Sequence, residues 1–191
     1  MTVAIEDIAR YLLLGRHAPD AALASRMSVM RDEACKAARP VRTWLRTTLD
    51  SAGPLRGWLE KSRALSRRLD GCHAAYVACG TLGAAFDSFQ RRVSATSGAD
   101  ALIVQATGAA LIEKWMDDAE DAIRAELFPG ETLVTRYSPG YGDFTLSAQR
   151  ELLEFIDAPR KVGVSLTDSL LMVPSKSVSA VIGVRQGGQE P

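Results

Sequence analysis

The stretch "VGVSLTDSLLMVPSKSVSAVIGV", residues 162–184, decides the fold class. It holds two runs rich in β-formers around Pro174-Ser175-Lys176, and over 177–184 small polar and apolar residues alternate for part of the length. This predicts an antiparallel pair of strands lying on helices. Upstream, nearly everything reads as helix. "IEDIARYLLL" is a short amphipathic run ended by Gly15 and Pro19. A second run starts near Asp20 as N-cap and carries Leu23, Met27, Met30 and Ala34 on one face before Pro40. "PVRTWLRTTLDSAGP" and "LRGWLEKSRALSRRLDG" read as shorter segments separated by a Ser-Ala-Gly-Pro break. "CHAAYVACGTLGAAFDSFQRRV" reads as a helix or helix pair pressed against neighbours through small residues.

Residues 99–127 place Leu102, Ala106, Ala109, Ile112, Met116, Ala119, Ile123 and Leu127 at three- and four-residue steps, which predicts a long helix with a continuous buried stripe. "SAQRELLEFIDAP" predicts about three helical turns closed by Pro159. The expected class is α+β, predominantly helical with a small antiparallel β-sheet, as one domain over 1–191. Within it, 1–68 is a helical N-terminal part and 185–191 a frayed tail.

Lys plus Arg number 23 and Asp plus Glu 23, so no bulk field points to nucleic acid or membrane. Charge is nevertheless uneven. Residues 36–68 hold nine basic side chains against Asp50 and Glu60; residues 113–126 hold six acidic ones against Lys114 and Arg124. Each cluster is either a solvated helix face or a docking face for a partner. The start has acidic residues where a signal peptide would be basic, and no run reaches membrane-spanning length, so a cytoplasmic protein is expected.

Several chemistries lack their residues. His17 and His73 are the only histidines, and no paired Cys/His spacing suits zinc. Cys72 and Cys79, seven apart, read as buried thiols on one helix face. "CGTLGAAF" reads as lying between helices rather than after a strand, which argues against a phosphate loop. No catalytic residue or metal site is expected.

One loop interrupts the helical pattern: "TRYSPGYGDF", residues 135–144. Arg136 is the residue type that grips a carboxylate through two parallel hydrogen bonds. Pro139 stiffens the turn, Gly140 admits close backbone approach, and Tyr141 offers a ring face. Such groups suit a ligand with a carboxylate at one end and a purine at the other, and they equally suit a turn with no ligand.

"RYSPGYGDF", "LLEFID", "VGVSLTDS", "MVP" and "SVS" together resemble the activation (reactivation) domain of cobalamin-dependent methionine synthase. The resemblance is greatest to proteins that carry this domain as a separate chain, and it spans residues 69–184. It implies binding of S-adenosylmethionine (SAM), with Arg136 on the methionine carboxylate, Ser138 and Gly140 at the ligand's polar edges, and Tyr141 shaping the pocket. Glu113 on the long helix would meet the ammonium or the sulfonium. Asp168, Ser177 and Ser179 are expected to fix the turn and strand by local hydrogen bonds.

The resemblance further implies a reactivation subunit for a split methionine synthase. Its partner would be a cobalamin-binding chain lacking its own activation domain, with flavodoxin or ferredoxin as electron donor. It would present SAM for reductive methylation of cob(II)alamin. Two other readings stand beside it. One is a SAM-binding or docking module serving another corrinoid methyltransferase; the other is a helical protein binding nucleic acid through 36–68.

Overall fold

A computed structural model describes residues 1–15, 18–49 and 55–187. His17, Asp50, the break at 51–54 and residues 188–191 of the expected tail lie outside these ranges, while Arg185 and Gln186 of that tail are not frayed but paired strand residues. Four strands form an antiparallel sheet in the order β1 (Val41–Thr48), β2 (Cys72–Thr81), β6 (Ser177–Gln186), β3 (Glu131–Leu133). A separate two-stranded pair joins β4 (Ser165–Leu166) to β5 (Met172–Val173). Among the described residues eight helices surround them: α1 (Ile5–Tyr11), α2 (Ala21–Ala37), α3 (Arg56–Lys61), α4 (Arg63–Arg68), α5 (Ala84–Thr96), α6 (Gly98–Arg124), α7 (Ala148–Phe155) and α8 (Ala158–Val162). The expected α+β class, mostly helical with a small antiparallel sheet, is what the structure shows. No helix among the described residues is long and apolar enough to cross a membrane.

The long helix α6 organises the molecule. Its Met116 and Ile123 pack on one sheet face against Ala74, Tyr76 and Ala78 of β2 and Ile182 and Val184 of β6. Its N-terminal half buries Ile103, Val104, Leu111 and Ile112 with Ile8 of α1, Met27 and Ala34 of α2, and Phe86 of α5. The opposite sheet face, through Ala75, Val77, Cys79 and Val181, meets Trp58, Leu65, Leu152, Ile156 and Val162. Each fully buried Leu, Ile or Phe in these clusters contributes about 1.5–3 kcal/mol relative to exposure. The predicted N-cap holds: the Asp20 carboxylate accepts from the Leu23 amide at 2.8 Å.

Several expectations are corrected. Residues 41–48 and 72–81 are strands, not helix. β2 is a central strand, covered on both faces, so it shows no alternation, and its alanines admit close approach from both sides. Cys72 and Cys79 therefore share a strand instead of a helix face; burial pushes the Cys79 thiol up to about 12. "CGTLG" lies not between helices but at the end of β2, with Leu82 and Gly83 leading into α5. Packing still accounts for the glycines. A Cβ at Gly80 would lie 2.7 Å from the Met116 sulfur, and one at Gly83, with φ +83°, would lie 2.9 Å from the Arg39 carbonyl oxygen.

β6 does not pair with its upstream neighbour, as expected, but with β2 and β3. Pro159 does not close a helix; the chain turns at Asp157, in the left-handed region, and Pro159 sits in the first turn of α8. On α6, Leu102 is 65% exposed and Ala109 half-buried, because the buried surface shifts to Ile103 and Val104 where α1 and α2 cover the helix.

The sheet's far end carries a compact ionic clamp. Arg46 of β1 donates to both carboxylate oxygens of Glu131 at 2.9 and 2.5 Å. The Phe128 amide donates to the same carboxylate at 2.8 Å, and His73 Nε2 lies 2.8 Å from it. The Arg46 hydrogen bond, ahead of the others, holds the Glu131 carboxyl down at about 2.

Candidate functional site

After β3 the chain keeps running along β6. The Val134 amide donates to the Gly183 carbonyl at 2.9 Å, and Tyr137 exchanges both backbone bonds with Val181 at 2.8 Å. This extension aims Arg136 at the acidic face of α6, where Glu113, Asp117 and Glu120 stand one turn apart. Arg136 donates to Glu113 at 2.6 Å, to Asp117 at 2.7 Å and to Glu120 at 2.5 Å. Burial alone would lower the guanidinium's pKa; the bonds to Glu120, Asp117 and Glu113 outweigh it and raise it. Arg124 adds bonds to Glu120 and Asp121. Four carboxylates thus face two guanidiniums, an excess of two negative charges.

The turn that follows is built by three devices. Gly140 has φ +95°, a conformation side chains resist, and its amide closes the turn on the Phe144 carbonyl at 2.7 Å. Phe144 is buried and stacks on Tyr137, with ring centroids 6.2 Å apart and planes 14° apart. Asp143 does not lead directly into the next helix. Its carboxylate accepts from the Ser62 hydroxyl at 2.7 Å and from the Arg63 and Ala64 amides at 2.9 and 3.0 Å, pinning the loop to the start of α4. The Ser62 bond leads the causes that lower the Asp143 pKa.

Between this turn, α6 and the end of β6 lies a cavity of about 470 Å³. Glu113, Arg136, Ser138 and Tyr141 all line it, so four of the five candidate residues meet at one place. Gly140 shapes the turn without lining the cavity. Asp168 is exposed; its turn is closed by the Thr167 hydroxyl, which accepts from the Leu171 amide at 3.1 Å. Ser177 makes the expected local bond, donating to the Pro174 carbonyl at 2.6 Å. Ser179 does not: its buried hydroxyl has no hydrogen-bond partner, and the residue lines the cavity.

Sequence reasoning missed Gln149, Met172 and Ser179 on the cavity wall. It also missed Tyr11, whose pKa is raised by burial and then by Glu113, which places α1 beside the site. Asp117 and Glu120 were findable, since they recur at helical spacing from Glu113. On the other side of Tyr137, Arg67, Arg68 and Arg185 line a second cleft of about 610 Å³. Arg68 lies over the Tyr137 ring at 5.6 Å and borders both spaces.

Fold and cavity together define a class: a helical α+β domain that brings an arginine-tyrosine turn against an acidic helix at the edge of an antiparallel sheet. The family model described as "Vitamin B12 dependent methionine synthase, activation domain" matches residues 99–189. The fold matches a solved structure titled "Crystal Structure of the MetH Reactivation Domain bound to AdoHcy", with a TM-score of 0.61. That match covers 100% of this chain and 79% of the other at 14% identity, a likeness of fold. No curated protein matches the chain. The family match thus covers α6 to β6, just under half of the chain, and the likeness of fold extends over the whole of it.

Proposed function

We propose that the cavity beside Arg136 binds SAM, and that the protein presents its methyl group to a corrinoid held by a partner chain. The observation that carries this reading is the meeting of Arg136, Glu113, Ser138 and Tyr141 around one cavity of about 470 Å³. That size is within the range of small-ligand sites. The charges fit as well. SAM has an ammonium, a sulfonium and one carboxylate, net positive, and the three α6 carboxylates around Arg136 outnumber the two guanidiniums on the cavity wall, Arg136 and Arg68. The structural neighbour was solved with the demethylated form of this molecule.

When SAM binds, its carboxylate takes bonds of Arg136 now made to α6. A released Glu113 or Asp117 then faces the ammonium, so the exchange conserves ion pairs. Tyr141, 66% exposed, and Leu171 and Val173, which flank the cavity-lining Met172, form an apolar rim for the corrinoid partner to cover. The corrinoid supplies the cobalt nucleophile once reduced by an external one-electron donor such as flavodoxin or ferredoxin. This chain supplies position and water exclusion. The arginine cleft at Arg67, Arg68 and Arg185 offers a cationic face to an acidic partner. A separate chain acting on a cytoplasmic methionine synthase that lacks this domain completes the reading, carried by the resemblance of 69–184 to separate-chain members.

The test combines calorimetry and activity. SAM is titrated into the wild type, and the protein is then mixed with cob(II)alamin-loaded methionine synthase lacking its activation domain, SAM and reductant. Binding with recovered methyl transfer is expected. Binding without recovery, but with methylation of another corrinoid protein, would give the place to the alternative partner. No SAM binding would end both readings.

A further inference from the structure

We infer that Ser179, with the open edge of β6 on which it stands, is the part of the cavity that hydrogen-bonds the nucleoside end of the ligand. This rests on the SAM reading above. Ser179 is only 2% exposed, yet its hydroxyl oxygen has no hydrogen-bond partner and the residue lines the cavity. A buried hydroxyl left unmet is costly, and native proteins rarely keep one without use. The neighbouring Ser177, on the same side of the strand, is satisfied by the Pro174 carbonyl, so the deficit is local to Ser179.

The backbone repeats the deficit. Val181 spends its amide and its carbonyl on Tyr137, and the Gly183 carbonyl accepts from Val134. In an antiparallel ladder these groups face the same edge at every second residue, so the amide and carbonyl of Ser179 face it too. Continuing the pairing of Tyr137 with Val181 by two residues sets Pro139 opposite Ser179. Proline has no amide hydrogen to donate, and here the chain leaves the strand for the turn at Gly140. One donor, one acceptor and one hydroxyl therefore gather where the 135–144 loop departs.

Other polar side chains of the cavity are engaged: Gln149 donates to the Leu170 carbonyl, Ser177 to the Pro174 carbonyl, and Arg68 lies over the Tyr137 ring. Arg136 and Glu113 are charged and match the amino-acid end. Tyr141, Leu146 and Met172 are apolar walls suited to a ring. An adjacent N–H and C=O on a strand edge match the acceptor and donor along one side of an adenine. Rotation of the serine about χ1 turns its hydroxyl toward the same ligand.

The experiment is calorimetric titration of SAM and of 5′-methylthioadenosine, which lacks the amino-acid end, into wild type, Ser179→Ala and Arg136→Ala, with thermal unfolding of each ligand-free protein. Ser179→Ala is expected to weaken both ligands equally, by roughly tenfold, the value of one hydrogen bond. Arg136→Ala is expected to weaken SAM alone. Ligand-free Ser179→Ala is expected to melt at or above the wild-type temperature, since it removes an unmet polar group. Wild-type affinity of Ser179→Ala for both ligands would overturn the inference and leave the SAM reading standing. Loss confined to SAM would move Ser179 to the amino-acid end, and a lowered melting temperature would make it a structural residue; either overturns the assignment. Should the wild type bind neither ligand, this inference falls with the reading beneath it.

Discussion

Two of the arginines that hold carboxylates, Arg46 and Arg136, do so differently. At one end of the sheet Arg46 meets a single carboxylate, Glu131, with both nitrogens matched to both oxygens and the remaining lone pairs taken by Phe128 and His73. At the β6 edge Arg136 is shared among Glu113, Asp117 and Glu120, and negative charge is left over. A one-to-one pair with its other valences filled is a clamp, since nothing further gains by approaching it. An arginine outnumbered by carboxylates, beside a cavity and an unpartnered serine, gains from a ligand that carries both signs. Geometry alone does not separate structure from site; the balance of charge does.

Exchanging each arginine for alanine tests this contrast most severely. Arg136→Ala is expected to weaken SAM binding by roughly 30- to 100-fold, as for loss of bonds between charged groups, and to destabilise the fold by about 2 kcal/mol through repulsion at partly buried Glu120. Arg46→Ala is expected to cost about 2–3 kcal/mol of stability, because the buried Glu131 carboxylate keeps only the Phe128 amide and His73, while calorimetry finds SAM binding unchanged. Equal effects on binding would dissolve the distinction.

The clamp should also respond to acid. Glu131 titrates at about 2 in the folded protein, below the ordinary carboxylate value of 4.5. A lowered folded pKa means stability that is complete above the unfolded value and is lost as pH falls toward the folded one. Denaturant unfolding between pH 5 and pH 2 should therefore show a decline on the order of 1–2 kcal/mol after allowance for screening, and Glu131→Gln should flatten it.

A smaller effect belongs to the site. SAM carries one more positive charge than its demethylated product, so at low ionic strength it should bind about fivefold tighter, and high salt should narrow the gap by screening. An identical affinity for both at every salt concentration would show that the excess negative charge is neutralised elsewhere. The smallest is at Asp143, whose replacement by alanine frees the loop from α4. SAM affinity should fall about threefold, because the lost hydrogen bonds hold the turn and do not touch the ligand.

How much was legible follows from where each residue's neighbours come from. Helix α2, its Asp20 cap and the span of α6 are written in local spacing, so they read correctly. The turn at 135–144 was legible as a break in the helical pattern because its glycines, proline and arginine act within ten residues. β1 held a readable signal in its composition: Val41, Thr43, Trp44, Thr47 and Thr48 are β-formers, and the run was passed over as helix. β2 held none, since a strand buried on both faces and filled with alanine has neither alternation nor β-branched bulk.

The sequence by itself determined the elements whose stability is local: helix periods, caps, the glycine-dependent turn, and the residues that carry the family resemblance. Tertiary structure alone decided that β2 is a strand, that β6 takes β2 and β3 as partners, and that Arg136 lands on three carboxylates of α6 while Ser179 is left without a partner. The physical reason is that hydrogen-bond satisfaction and charge balance are properties of the groups brought within about 3 Å of one another. Here those groups lie 16 to 113 residues apart along the chain, beyond the reach of any local pattern.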